Sequence, residues 1–144
     1  ATGLGHVVTD LGAAVRAVSD DIAAAGFDVT YQCRGTASPT RSQASTLSRV
    51  AREMGANVVR HADPSTPVTL TLRLGPETIR LVSTNRIRMT PGDLPHSGSG
   101  VLGMRERLTA IGGELTTLAD DGAWIVTATV PVASTRTPLP GGES

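Results

Sequence analysis

Residues 47–62 read Leu47-Ser48-Arg49-Val50-Ala51-Arg52-Glu53-Met54-Gly55-Ala56-Asn57-Val58-Val59-Arg60-His61-Ala62. Leu47, Val50, Ala51, Met54, Val58 and Val59 recur at helical spacing, so the stretch predicts an amphipathic helix with one apolar stripe. Ala62-Asp63-Pro64 ends it, because proline pushes the residue before it out of the helical region. Immediately downstream, 68–74 alternates apolar and polar residues, Gly75-Pro76-Glu77-Thr78 turns, and 79–83 alternates again. Two such runs about a short turn predict an antiparallel hairpin. Upstream, 27–33 alternates as a half-buried strand, and Pro39 lies near the start of the next helix. Before that, 6–25 carries Val7, Val8, Leu11, Ala14, Val15, Val18, Ile22 and Ala25 at helical spacing and stops at Gly26.

Toward the C-terminus, 86–101 has no apolar periodicity and contains Pro91, Gly92, Pro95, Gly98 and Gly100. A loop of that length inside a domain is either functional or disordered. Residues 102–111 predict a short helix closed by Gly112-Gly113, and 114–118 with 124–130 predict a last hairpin around Asp120-Asp121-Gly122. Residues 133–144 hold Pro, Gly, Ser and Thr with little to bury, which predicts a flexible tail. The order of elements is that of an α+β two-layer sandwich, a mostly antiparallel sheet with helices on one face. The domain proper spans 27–132, with 1–26 a helix ahead of it.

Composition narrows the function. The chain has 144 residues, 13 Lys plus Arg against 13 Asp plus Glu, and aromatics at 2%. Charge balance argues against a dedicated nucleic-acid binder, and three aromatics provide no stacking platform for single strands. A lone Cys33 excludes an intrachain disulfide and fits a reducing compartment. No apolar run approaches the roughly 20 residues of a membrane span, and no leader-like segment opens the sequence. These features predict one soluble, cytoplasmic domain.

Two segments carry candidate chemistry. Glu53, Asn57 and His61 fall at i, i+4 and i+8, with Arg60 beside them, along one polar ridge of the helix. A carboxylate and an amide oxygen one turn apart can hold a hydrated divalent cation or orient water. Arg60 and His61 add donors for phosphate oxygens. On spacing alone, a solvated helix face presents the same ridge. The second segment is Gly98-Ser99-Gly100-Val101-Leu102-Gly103-Met104-Arg105-Glu106-Arg107. Glycines leading into a helix let backbone N–H groups approach an anion at its positive end, and the preceding loop is long enough to close over a nucleotide. Alone, it is also an ordinary loop and helix start.

Taken together, the 47–62 segment resembles the N box of sensor histidine kinases, and the 98–107 segment followed by Gly112-Gly113 resembles their second glycine box. The Gly-Met-Arg-Glu-Arg wording of 103–107 is similar to the subfamily paired with helix-turn-helix response regulators. The resemblance covers 27–132 and implies a Bergerat-type ATPase fold that binds ATP and Mg²⁺. It implies transfer of the γ-phosphate of ATP to a histidine on a dimerisation domain outside this chain, for signalling to a response regulator, with 1–26 either the end of such a dimerisation segment or the start of the domain. The implied roles are Glu53 as the catalytic group, Asn57 as the Mg²⁺ ligand and Arg60 and His61 at the phosphates. Gly98, Gly100, Val101, Leu102, Gly103 and Met104 would shape the nucleotide cradle.

One part departs from the family pattern. The first glycine box should carry an Asp and two glycines at the end of a strand, whereas this sequence has Ser83-Thr84-Asn85-Arg86-Ile87-Arg88-Met89. Alternation puts Ile79, Leu81, Ser83 and Asn85 on one face, so Asn85 is the first candidate for the adenine contact and Thr84 the second. An Asn carbonyl still accepts the adenine amino group, but as a neutral acceptor it is weaker than a carboxylate. His6 lacks the acceptor-box context, and His96 reads as an exposed loop residue. The degraded box leaves a second reading, a nucleotide-free interaction module on the same fold, with the pocket filled by Arg86, Ile87 or Met89. A third is a serine-phosphorylating anti-sigma kinase of the same superfamily, which the Gly-Met-Arg-Glu-Arg segment disfavours.

Overall fold

The computed structural model describes residues 10–87 and 99–132. Three helices and five strands are present among the described residues, in the order α1 (Leu11–Ala24), β1 (Val29–Gly35), α2 (Arg41–His61), β2 (Val68–Leu74), β3 (Thr78–Arg86), α3 (Ser99–Thr109), β4 (Glu114–Asp120) and β5 (Ala123–Pro131). The predicted tail at 133–144 and the segment 88–98 lie outside the described residues.

The long helix α2 starts well before the apolar stripe does. Thr40 caps it, its Oγ1 accepting from Gln43 N at 3.0 Å, while Gln43 Oε1 accepts from Thr40 N at 3.0 Å. This reciprocal pair satisfies two backbone donors that the helix end would leave bare. Gln43 Nε2 also donates to the Pro131 carbonyl at 2.6 Å, tying the start of α2 to the end of β5. At the other end Ala62 turns extended ahead of Asp63-Pro64, as expected. Helix α1 begins at Leu11, where Asp10 Oδ1 accepts from Ala13 N at 2.9 Å. Residues 6–9 of the predicted helix lie outside the described residues. Strand β1 runs to Gly35, later than the alternation at 27–33 implies.

The sheet has the order β1-β2-β3-β5-β4. Both predicted hairpins form, β2–β3 and β4–β5, and β3 pairs antiparallel with β5. Strands β1 and β2 are parallel, Val29 facing Val68 through Gly35 facing Leu74, because the chain between them crosses over through α2. The architecture is thus the predicted α+β two-layer sandwich with a mostly antiparallel sheet. One face is covered: Leu47, Val50, Met54 and Val58 of α2 and Val15, Val18 and Ile22 of α1 join Leu70, Leu72, Ile79, Leu81, Val126 and Ala128 in one core. Gly55 allows α1 to sit close on α2, since a Cβ there would lie 2.7 Å from Val18 Cγ1. Val59, assigned to the apolar stripe from its spacing, is 45% exposed. It sits one residue further round the helix than Val58, beyond the buried arc.

Candidate functional site

The last turn of α2 and the end of β3 run into one another. Ala62 bridges Ile87, and Asp63 N donates to the Arg86 carbonyl at 2.8 Å. This junction brings the C-terminal part of the α2 ridge to the same end of the sheet as Asn85. Alternation along β3 holds as expected: Ile79, Leu81, Ser83 and Asn85 are buried on the helix-covered face, Asn85 only 5% exposed. Directly across from Asn85 in the β3–β5 register stands Trp124, packed against the core.

The polar groups here are incompletely satisfied. Asn57 is buried, and its Oδ1 accepts from Arg60 Nη1 at a long 3.4 Å. His61 Nδ1 and Trp124 Nε1 are buried with no hydrogen-bond partner among the described residues. Leaving a buried polar atom unmade costs about 1–3 kcal/mol, so each such group calls for a ligand or an ordered water. Glu53 is half-buried one turn before Asn57. The donor set suits a hydrated Mg²⁺ carried by phosphates, which takes one or two protein oxygens and keeps water for the rest; Asn57 Oδ1 and the Glu53 carboxylate are such hard oxygens. Among the described residues, no group of three His, Cys, Asp or Glu side chains forms a cage for a metal held by protein alone.

The structure does not bring every candidate to this place. Thr84 faces the opposite, uncovered side of the sheet, where its hydroxyl hydrogen-bonds that of Thr69. Its neighbours Ser83 and Asn85 take the covered side, so strand parity sets Thr84 on the opposite face of the sheet from Asn85. Met104 is completely buried and packs in the hydrophobic core. Gly100, Val101 and Gly103 lie within α3, which begins at Ser99 and not at the predicted Leu102. Val101 is 8% exposed, and Leu102 is 55% exposed on the outer side of the helix. Gly98, His6 and His96 lie outside the described residues.

Ile87 is buried just after β3, its N–H donating to the Gly122 carbonyl at 2.8 Å. Arg86 is exposed and donates through Nη2 to the Asp121 carbonyl at 2.6 Å, so it braces the β4–β5 turn. Met89 lies outside the described residues. Sequence reasoning missed Trp124 as part of the site. Only the pairing of β5 with β3, a contact distant in sequence, sets it beside Asn85.

No family model matches the chain, and no curated protein matches it. Solved structures do. The blue-light activated histidine kinase of Erythrobacter litoralis superposes with a TM-score of 0.68 at 22% identity, over 85% of this chain and 40% of that one. The catalytic domain of histidine kinase ThkA gives 0.64 at 14% identity, over 85% of this chain and 93% of that one. The mycobacterial sensor histidine kinase MprB gives 0.63 at 15% identity, over 83% and 93%. The chain therefore has the fold of histidine kinase catalytic domains, and it spans well under half the length of the light-activated kinase.

Proposed function

We propose that the chain is the ATP-binding catalytic part of a histidine kinase. In this reading it passes the γ-phosphate of ATP to a histidine on a dimerisation domain outside this chain, in the cytoplasm, and so signals to a response regulator. The observation that carries the reading is the set of polar groups where the end of α2 meets the ends of the sheet strands on this fold: Asn57 and Asn85 are buried, and His61 Nδ1 and Trp124 Nε1 are buried atoms unpartnered among the described residues.

Each residue has a task that its position supports. Asn57 Oδ1, only weakly engaged by Arg60, offers a hard oxygen to Mg²⁺. Bound to the nucleotide, Mg²⁺ neutralises charge on the phosphates. Glu53 orients water or polarises the incoming histidine from one turn away. Arg60 and His61 donate to phosphate oxygens, and the first turn of α3, with Gly100, Val101, Leu102 and Gly103, offers the positive end of a helix. Asn85 accepts from the adenine amino group. Met104 supports this helix from inside the core.

A second reading, a nucleotide-free regulatory module, is favoured by Ile87 filling the position after β3. Calorimetry with Mg-ATP on the whole chain separates the two. The kinase reading expects saturable binding below millimolar nucleotide, lost in Asn57→Ala with the circular dichroism unchanged. Asn85→Asp with Arg86→Gly should tighten it by about 1–3 kcal/mol, the worth of a charged acceptor in a closed site. Binding by the double variant alone would favour the second reading. Silence from both proteins, each shown to be folded, would end the kinase reading.

A further inference from the structure

We propose that the uncovered face of the sheet, at the end where Arg34, Arg73 and Arg80 stand side by side, binds an acidic helical segment of a partner protein. The three arginines share one register row. Arg34 of β1 pairs with Arg73 of β2, which pairs with Arg80 of β3. Alternation puts all three on the face away from the helices: their strand neighbours Leu72, Leu74, Ile79 and Leu81 point into the core, and Tyr31 bonds Gly12 of α1 on that side. All three are exposed, and among the described residues none makes an ion pair or side-chain hydrogen bond.

Like charges directly opposite on neighbouring strands destabilise a sheet, so a row of three is costly without a counter-charge. Among the described residues, few carboxylates on this face answer it. Glu114 lies on the same row but beyond Thr129, on the far side of β5. Glu77, in the β2–β3 turn, borders a recess of about 250 Å³ with Arg73 and Arg80 but pairs with neither. A second recess of about 320 Å³ lies between Arg34 and Arg73, beside Thr36 and Pro76. Arg73 thus stands between two recesses, each large enough for an acidic side chain.

The spacing and setting favour a protein helix. Neighbouring strands lie about 4.7–4.9 Å apart, and carboxylates one helical turn apart lie about 5–6 Å apart. A helix laid across the strands can therefore place three acidic residues over three guanidiniums. Beyond the row the face continues through Thr71, Val82 and Thr127, then Thr69, Thr84, Ile125 and the 55% exposed Leu118, an apolar and hydroxyl surface suited to the rest of such a helix. Phe27, Tyr31 and Trp124 all pack on the other side, leaving no ring here for nucleic-acid bases. Threonine hydroxyls are a poor wedge for a lipid interface.

The test uses the whole chain and a fluorescein-labelled peptide of Glu and Ala with glutamates at i, i+4 and i+7, followed by anisotropy at low ionic strength. Saturable binding is expected, weakening as salt screens the charges. Arg34→Gln/Arg73→Gln/Arg80→Gln should weaken it roughly tenfold or more. The charge-matched Arg41→Gln/Arg49→Gln/Arg52→Gln should leave it within about twofold. If the first triple variant fails to fold, Arg73→Gln alone should still weaken binding roughly threefold. Equal weakening in both triple variants, or no saturable binding by the folded wild type, would overturn the proposal. So would tighter use of the same arginines by phosphatidylserine vesicles or a single-stranded oligonucleotide.

Discussion

Tyr31 links a single side chain to the pH response of the protein. Its hydroxyl donates to the Gly12 carbonyl at 2.8 Å, and the Arg16 guanidinium lies 5.5 Å from its ring centroid. Burial, and after it the neighbouring Cys33 thiol, push the phenol above its usual range. The folded state therefore holds this proton more tightly than the unfolded chain does. That contribution is complete below the unfolded phenol value near 10 and fades as pH climbs above it. Tyr31→Phe should cost about 0.5–1.5 kcal/mol at pH 7, and the gap to wild type should narrow above about pH 10. Urea denaturation at neutral and alkaline pH measures both; a gap that stays constant would remove Tyr31 from the alkaline response. Individual site residues were unevenly legible in the sequence. The burial of Asn85 on the covered face followed from alternation, and the same alternation already placed Thr84 on the other face. Trp124 and the unpartnered His61 Nδ1 were not legible, because both depend on contacts between elements distant along the chain.

Among the elements, the α1–α2 contact turns on Gly55. Replacing glycine by alanine inside a helix normally gains about 1 kcal/mol. Here the new Cβ would meet Val18 Cγ1 at 2.7 Å, and overpacking of that kind costs about 1–3 kcal/mol. Gly55→Ala should therefore lower the melting temperature, while the same change made on top of Val18→Ala should raise it relative to Val18→Ala. Thermal melts of the four proteins followed by circular dichroism decide it; additive effects would mean the helices part freely. Element type was legible throughout, since each apolar period matched its observed helix or strand. Boundaries were less so. The apolar stripe locates α2 from Leu47 onward, but its start is set by the polar Thr40–Gln43 capping pair, which hydrophobic spacing does not register. Val59 shows the converse, an apolar residue counted into a stripe that the covering helix does not reach.

For the whole molecule, alternating helices and strands were enough to predict two layers with one covered face. They did not reveal that β1 and β2 run parallel or that β5 lies between β3 and β4, because strand order is decided by long-range pairing. The register row of Arg34, Arg73 and Arg80 emerges only from that order. Its stability effect is open to measurement without any partner. Arg73→Gln removes the middle charge and should stabilise the fold by about 0.2–1 kcal/mol at low ionic strength, an advantage that shrinks as salt is added. A melting temperature unchanged at low salt would mean the side chains already avoid one another. The bond from Gln43 to Pro131 carries a consequence of a different kind. Its partners are 88 positions apart, so the side chain that caps the start of α2 is anchored by a strand that leaves the ribosome long after the helix does. The opening turn of that helix stays frayed until β5 has zipped onto β3, and its amides should be the latest in α2 to gain protection from exchange during refolding.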